Sequence, residues 1–188
     1  MELYLTADER SANRAQPAKA AELAREEALR WFDELCDPLR RYLLCAGANA
    51  ADADEAVQES FLRLYQHLEK RGDRSNLRGW VFQVARNYLR DERKSARHQK
   101  TVPLDDAMER DGRFADPRGS PEHSALGEER LRRLGMAIKK LGPQQRECIL
   151  LRASGLRYRE IAEVMGINIS SVGTLVQRAV ARLSEELA

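Results

Sequence analysis

Between residues 98 and 124 the chain changes character: Pro103, Pro117, Pro121, Gly112, Gly119 and many charges share a segment with few large apolar residues. On either side of it, apolar residues recur at helical spacing. A structureless stretch of that length is uncommon inside one compact domain and ordinary as a connector between two. β-branched alternation is nearly absent, so helix is the expected state of both flanking parts. The expectation is an all-α fold of two helical domains joined by a flexible linker. An N-terminal helical bundle is expected over 18–97, the linker over 98–124 and a C-terminal helical domain over 125–188. Residues 1–17, polar and unpatterned, are expected to form a loose leader.

At 188 residues the chain is long enough for two small cores. Its 32 basic and 30 acidic residues nearly cancel, so the net charge of +2 hides local segregation. No apolar run approaches the ~20 residues that span a bilayer. Met1 to Arg10 lacks the basic-then-apolar layout of a signal peptide, which makes the cytoplasm the expected location. Cys36, Cys45 and Cys148 are odd in number and lack ligand spacing, so reduced thiols are expected. His67, His98 and His123 are scattered. There is no Gly-rich phosphate loop, no His-Glu-x-x-His and no nucleophile elbow. Neither a metal nor a cofactor is expected, and an enzyme reading has no residues to rest on.

In the N-terminal part the helical pattern of Ala18 to Ala46 is interrupted at Asp37-Pro38, where proline predicts a new helix or a kink. After a short joint at Ala48 to Ala51, Asp52 opens an amphipathic helix. Val57, Phe61, Leu64, Tyr65 and Leu68 form its core stripe. Glu55, Gln58, Glu59 and Leu62 fall at i, i+3, i+4 and i+7, which puts carboxylates, an amide and one off-stripe leucine on a second face. Asp52, Asp54 and Glu55 also suit the positive end of a helix dipole, so a solvated helix start accounts for them equally well.

Arg71 to Asn76 is turn-rich and polar, and a further helix is expected from Leu77 to Arg97. Val81, Val84, Ala85 and Tyr88 are its apolar stripe. Arg86, Arg90, Arg93, Lys94 and Arg97 align as a basic ridge that only Asp91 and Glu92 interrupt. Such a ridge either solvates a helix or holds phosphates. With Trp80 and Asn87 beside it, it suits a phosphate backbone with nearby bases.

The C-terminal part begins a helix near Leu141-Gly142-Pro143, with Cys148 and Leu151 inward, and Gly155 breaks it. Arg157 to Met165 reads as a short helix with Ile161, Ala162 and Met165 inward. Gly166-Ile167-Asn168 reads as a tight turn in which Asn168 caps a last helix from Ile169 to about Glu186. Val172, Val176, Ala179 and Leu183 form that helix's core stripe. Helix, short Gly-containing turn, helix is a helix-turn-helix, whose second helix enters the DNA major groove. A small bundle with no DNA role is the plainer alternative. The outward candidates for reading bases are Ser170, Ser171, Thr174, Gln177, Arg178 and Arg182, with Arg157 and Arg159 as phosphate contacts. Gly173 inside the helix costs about 1 kcal/mol against alanine.

The run Asp52 to Tyr65 resembles the polymerase-binding helix of bacterial sigma factors, where such a face grips a basic coiled coil of core RNA polymerase. Leu77 to Asp91 resembles the promoter-melting helix of sigma factors of the extracytoplasmic-function (ECF) group in the sigma-70 family. The resemblance covers roughly Trp31 to Leu187, and no large middle domain separates the two halves. It implies a sigma region 2 domain over 18–97 and a sigma region 4 domain over 125–188. It also implies that the chain binds core RNA polymerase, directs promoter-specific initiation at −10 and −35 elements and answers to an anti-sigma factor.

Carried over residue by residue, Asp54, Glu55, Gln58, Glu59 and Leu62 would bind polymerase. The loop with Arg74 and Asn76 would capture an unstacked base, at an extrusion cost of a few kcal/mol offset by stacking and edge hydrogen bonds. Trp80, Arg86, Asn87, Arg90, Arg93, Lys94 and Arg97 would hold the −10 element. The recognition helix departs from the family, with Gly173 and Leu175 where a lysine and an arginine are usual. Either the −35 sequence differs, or this domain binds weakly. Two other readings stand beside this one: a helix-turn-helix regulator with an N-terminal interaction module, and a helical interaction protein without DNA binding.

Overall fold

The computed structural model describes residues 7–99 and 124–188, so most of the expected linker lies outside the described residues. Among these, every regular element is a helix. The N-terminal part holds α1 (Ala7–Cys45), α2 (Ala50–Glu69) and α3 (Leu77–Gln99). The C-terminal part holds α4 (Ser124–Lys139), α5 (Pro143–Ala153), α6 (Tyr158–Met165) and α7 (Ile169–Leu187).

α1 passes Asp37-Pro38 as one helix, so no new helix starts there, and it begins at Ala7, inside the stretch 1–17 expected as a loose leader. Leu35 and Leu39 flank the proline and are both fully buried, with Tyr42 and Leu43 close behind on the same side. An interior proline costs about 3 kcal/mol. Keeping these side chains on one buried face is worth roughly 1.5–3 kcal/mol each and outweighs it. The early start follows from helix propensity, since Ala7, Ala12, Ala15 and Ala18 are the strongest of helix formers.

α2 starts slightly ahead of its expected place because Asn49 caps it. The Asn49 Oδ1 accepts the Asp52 backbone N–H at 2.8 Å, and its Nδ2 donates to the Asp52 carboxylate at 2.8 Å. Val57, Phe61, Leu64 and Leu68 are buried as the periodicity predicts, while Tyr65 is half-buried. Ser60 is buried too, and its hydroxyl donates to the Ala56 carbonyl at 2.6 Å, which leaves no polar group unpaired there. On α3, Val81 and Ala85 are buried but Val84 and Tyr88 only partly so; Leu77, Phe82 and Leu89 complete the inner face. The Phe82 ring meets Tyr42 of α1 at 5.5 Å.

In the C-terminal part, α6 ends at Gly166 in the left-handed region, φ +67°, where glycine has no steric penalty. Asn168 then caps α7. Cys148, Leu151, Leu156, Ile161 and Val172 are fully buried. The two cores are contiguous, because α6 packs on α3 and α5 reaches α1.

Candidate polymerase and nucleic-acid interfaces

Most of the carboxylates on the second face of α2 have partners within the N-terminal part. Asp54 pairs with Arg40 of α1 at 2.6 Å, and Glu59 with Arg63 at 2.7 Å. Glu55 accepts the hydroxyl of Tyr88 on α3, and that hydrogen bond pushes the Tyr88 pKa up to about 12. Gln58 and Leu62 point outward, Leu62 at 53% exposure. Phe32 of α1, 39% exposed, meets Phe61 edge-on at 5.0 Å, so an aromatic stands beside the residue that precedes Leu62. Exposed ion pairs are weak, typically about 0–1 kcal/mol, so a basic partner can displace them. The face offers carboxylates around an apolar centre.

The loop before α3 is firmly built. Asn76 caps α3: its Oδ1 accepts the Gly79 N–H at 2.9 Å and its carbonyl accepts the Trp80 N–H at 3.0 Å. The Asn76 Nδ2 donates across to Glu163 of α6. Asp73 accepts both the backbone N–H and the hydroxyl of Ser75, which holds its carboxyl below the usual range. Arg74 pairs with Glu27 of α1 at 3.2 Å. Trp80 is half-buried with the His67 ring stacked on it at 4.7 Å. The group expected to seize a base is thus a helix cap and a tie to the C-terminal part.

The ridge on α3 faces α5 across a cleft of about 480 Å³. Tyr42, Ala46, Leu89, Pro143 and Leu150 give this cleft apolar walls, and Arg86, Arg90, Lys94 and Arg146 bring cations to it. Arg86 pairs with Glu147 of α5, with a second contact at 3.2 Å, and this partner raises the guanidinium pKa further. Arg146 is committed elsewhere, to the carbonyls of Ile138 at 3.1 Å and Leu141 at 3.2 Å. Arg90 is exposed, Lys94 stands 4.0 Å from Asp91, and Asn87 is half-buried. The side chains of Arg93 and Arg97 lie outside the described residues.

Arg157 precedes α6, where its backbone N–H donates to Glu160 at 2.6 Å and its side chain is exposed. Arg159 pairs with Glu163 at 3.3 Å, so Glu163 serves both this arginine and Asn76. On α7 the Asn168 Oδ1 accepts the Ser171 N–H and the Ser170 hydroxyl, each at 2.7 Å. The Thr174 hydroxyl donates to the Ser170 carbonyl at 3.1 Å. These hydroxyls spend their protons on the helix and keep lone pairs for a donor on a base. Gln177, Arg178 and Arg182 are exposed on the same helix. A Cβ added at Gly173 would meet only Tyr158, at 4.0 Å.

Sequence reading missed Phe32, His67, Glu147 and Glu163. The two glutamates act through partners 61 and 87 residues away, a separation that carries no periodic signal. Among the described residues no cluster of potential metal ligands occurs, and no helix is long and apolar enough to cross a membrane.

Residues 28–99 match the family described as Sigma-70 region 2, and residues 131–183 match Sigma-70, region 4. The chain is 31% identical over 184 residues to the ECF RNA polymerase sigma factor BldN of Streptomyces coelicolor, covering 96% of this chain and 68% of that one. It is 40% identical over 116 residues to the ECF RNA polymerase sigma factor SigL of Mycobacterium tuberculosis; the match takes in 61% of this chain and only 59% of SigL. The fold is shared with the sigma factor RpoE of Bartonella quintana, solved in complex with the anti-sigma factor NepR: TM-score 0.61 and 21% identity, covering 87% of this chain and 97% of RpoE. With helices α1–α3 forming a region 2 unit and α5–α7 a region 4 helix-turn-helix, this chain belongs to the ECF group of sigma-70 family RNA polymerase sigma factors, the proteins that direct polymerase to promoters.

Proposed function

We propose that the chain docks on core RNA polymerase through the outer face of α2, with Gln58 and Leu62 at its centre and Asp54, Glu55 and Glu59 around them. The 71–76 loop and α3 then engage the −10 element through Arg74, Asn76, Trp80, Arg86, Asn87, Arg90, Arg93, Lys94 and Arg97. The outer face of α7 meets the −35 element, with Arg157 and Arg159 on nearby phosphates. The chain acts in the cytoplasm as a specificity subunit and performs no catalysis itself. Its two domains span 18–97 and 125–188, and an anti-sigma factor is its inhibitory partner, a reading supported by the similar RpoE, solved in complex with the anti-sigma factor NepR.

The observation that carries this reading is an exposed leucine and amide, Leu62 and Gln58, ringed by carboxylates inside the Sigma-70 region 2 match. The test is run-off transcription from a randomised promoter library with core polymerase. Discrete transcripts only when the chain is added are the expected result. Their absence, with the chain failing to co-purify with core polymerase, overturns the reading.

A further inference from the structure

His67 sits in the last turn of α2, and its imidazole is a layer between two other parts of the chain. One face stacks on Trp80, ring centres 4.7 Å apart and planes 29° from parallel. Against the ring lies Gly72, where any Cβ would collide with Cε1, Nδ1 and Nε2. The edge of the ring is tied as well, since Nε2–H donates to the Asp73 carbonyl at 2.8 Å. Gly72 closes the turn by donating its own N–H to the His67 carbonyl at 2.8 Å. Its φ is not in the left-handed region; the residue beside it, Arg71, takes that conformation at φ 55°. Gly72 is therefore a glycine for want of space, and His67 fills that space.

From this ring the order of the loop passes outward. Asp73, held by His67, holds Ser75 through two hydrogen bonds, and Asn76 then caps α3. A loop that is ordered only part of the time binds more weakly by the fraction of time it is not.

We propose that His67 is the positioning residue of the 71–76 loop: it pre-forms the pocket for an unstacked promoter base, and Gly72 is required so that the ring can enter. The inference rests on the reading of that loop as the base-capturing element. A stacked ring pair and one hydrogen bond together shift the ordered population by about tenfold.

The test uses the full chain with core polymerase on a promoter duplex selected from a randomised library by the wild-type chain, with 2-aminopurine in the −10 strand. His67→Ala should slow opening about tenfold while leaving closed-complex affinity within about twofold, because only the opening step needs the loop. Gly72→Ala should do the same by evicting the ring. In the His67→Ala background it should add nothing, since the space is already empty. His67→Phe keeps the stack, loses the Asp73 bond and should fall between. If wild type opens the duplex and His67→Ala opens it equally fast, the positioning role is wrong while the loop reading stands. If Gly72→Ala slows opening as much without His67 as with it, the two do not act together and the proposal fails. If wild type binds the duplex but never exposes the −10 strand, the loop reading fails and takes this inference with it.

Discussion

Arg86 on α3 and Glu147 on α5 form an ion pair that joins the two helical parts, and each side chain is only about a quarter exposed, at 26% and 25%. Asn76 and Glu163 make a second tie between the same parts. In both ties the N-terminal partner is a residue proposed to meet promoter DNA, and the C-terminal partner is a carboxylate. Glu147 takes the Nε and Nη2 edge of the Arg86 guanidinium, the edge that a phosphate would meet in a bidentate contact, so closing the two parts and binding DNA through Arg86 compete.

Removing the carboxylates should relieve that competition. The double substitution Glu147→Gln and Glu163→Gln is expected to raise affinity for promoter duplex about fivefold, the equivalent of roughly 1 kcal/mol for partly exposed pairs. Fluorescence anisotropy at low salt measures it, and small-angle scattering should show a larger radius of gyration. An unchanged affinity means that the ties do not restrain DNA binding.

The polymerase face makes a separate prediction. Gln58 and Leu62 are exposed, so replacing both with alanine should cost within about 0.5 kcal/mol of stability per site. Core polymerase binding should nevertheless fall by an order of magnitude or more, because the residues that carry affinity cluster at the desolvated centre of an interface, where these two are proposed to sit. Phe32→Ala tests whether the patch extends onto α1, where that ring touches Phe61. Co-purification of the double variant with core polymerase at wild-type yield would dismiss the α2 assignment.

Tyr88 gives a prediction that needs no DNA. Its hydroxyl donates to Glu55, so the folded state favours the neutral phenol and its pKa rises from 10.0 to about 12. The stability this bond contributes is complete below pH 10 and is lost as pH climbs through about 12. An ultraviolet titration of phenolate formation, taken as the difference from Tyr88→Phe, should show one late-titrating tyrosine. Glu55→Gln should bring it back toward the ordinary range. A Tyr88 midpoint near 10 in the wild-type chain would show that Glu55 faces solvent and is wholly available to a partner.

The helices were legible because burial repeats along a helix: α2 buries Val57, Phe61, Leu64 and Leu68 and α7 buries Val172, Val176 and Ala179, while Tyr65 and Leu183, at the edges of the two stripes, are only half-buried. The Asn168 cap was legible for the same reason, being a matter of adjacent residues. What the sequence could not show is how charged side chains pair across separate helices. The ridge on α3 reads as one basic surface, yet Arg86 spends its charge on Glu147 and Lys94 stands near Asp91, while Arg90 is exposed. Asn76 reads as an open loop residue and is a cap instead. At Pro38 local chemistry allowed a new helix or a kink, and burial of Leu35 and Leu39 on one face goes with a helix that runs on through the proline.

Gly173 lies inside α7, and the structure shows that nothing requires a glycine there. Its φ is not in the left-handed region, and an added Cβ would find only ordinary contact, 4.0 Å from Tyr158. The glycine therefore weakens α7 by about 0.5–1 kcal/mol without a steric return. With Leu175 half-buried nearby, the start of the helix lacks the cations that would steady it on phosphates. The hydroxyls of Ser170 and Thr174 are already bonded to the chain, which leaves Gln177, Arg178 and Arg182 as the readiest groups. Gly173→Lys should thus stabilise the fold by up to about 1 kcal/mol, seen as a higher unfolding midpoint in urea. It should also tighten binding to −35 duplex and steepen the salt dependence by about one unit, the signature of one added phosphate contact. Gly173→Ala separates the two effects, since it should give the stability without the salt slope. If Gly173→Lys is less stable than wild type, the space at Tyr158 is not free; if it is stabilised but binds no better, the α7 face does not approach phosphate at this position.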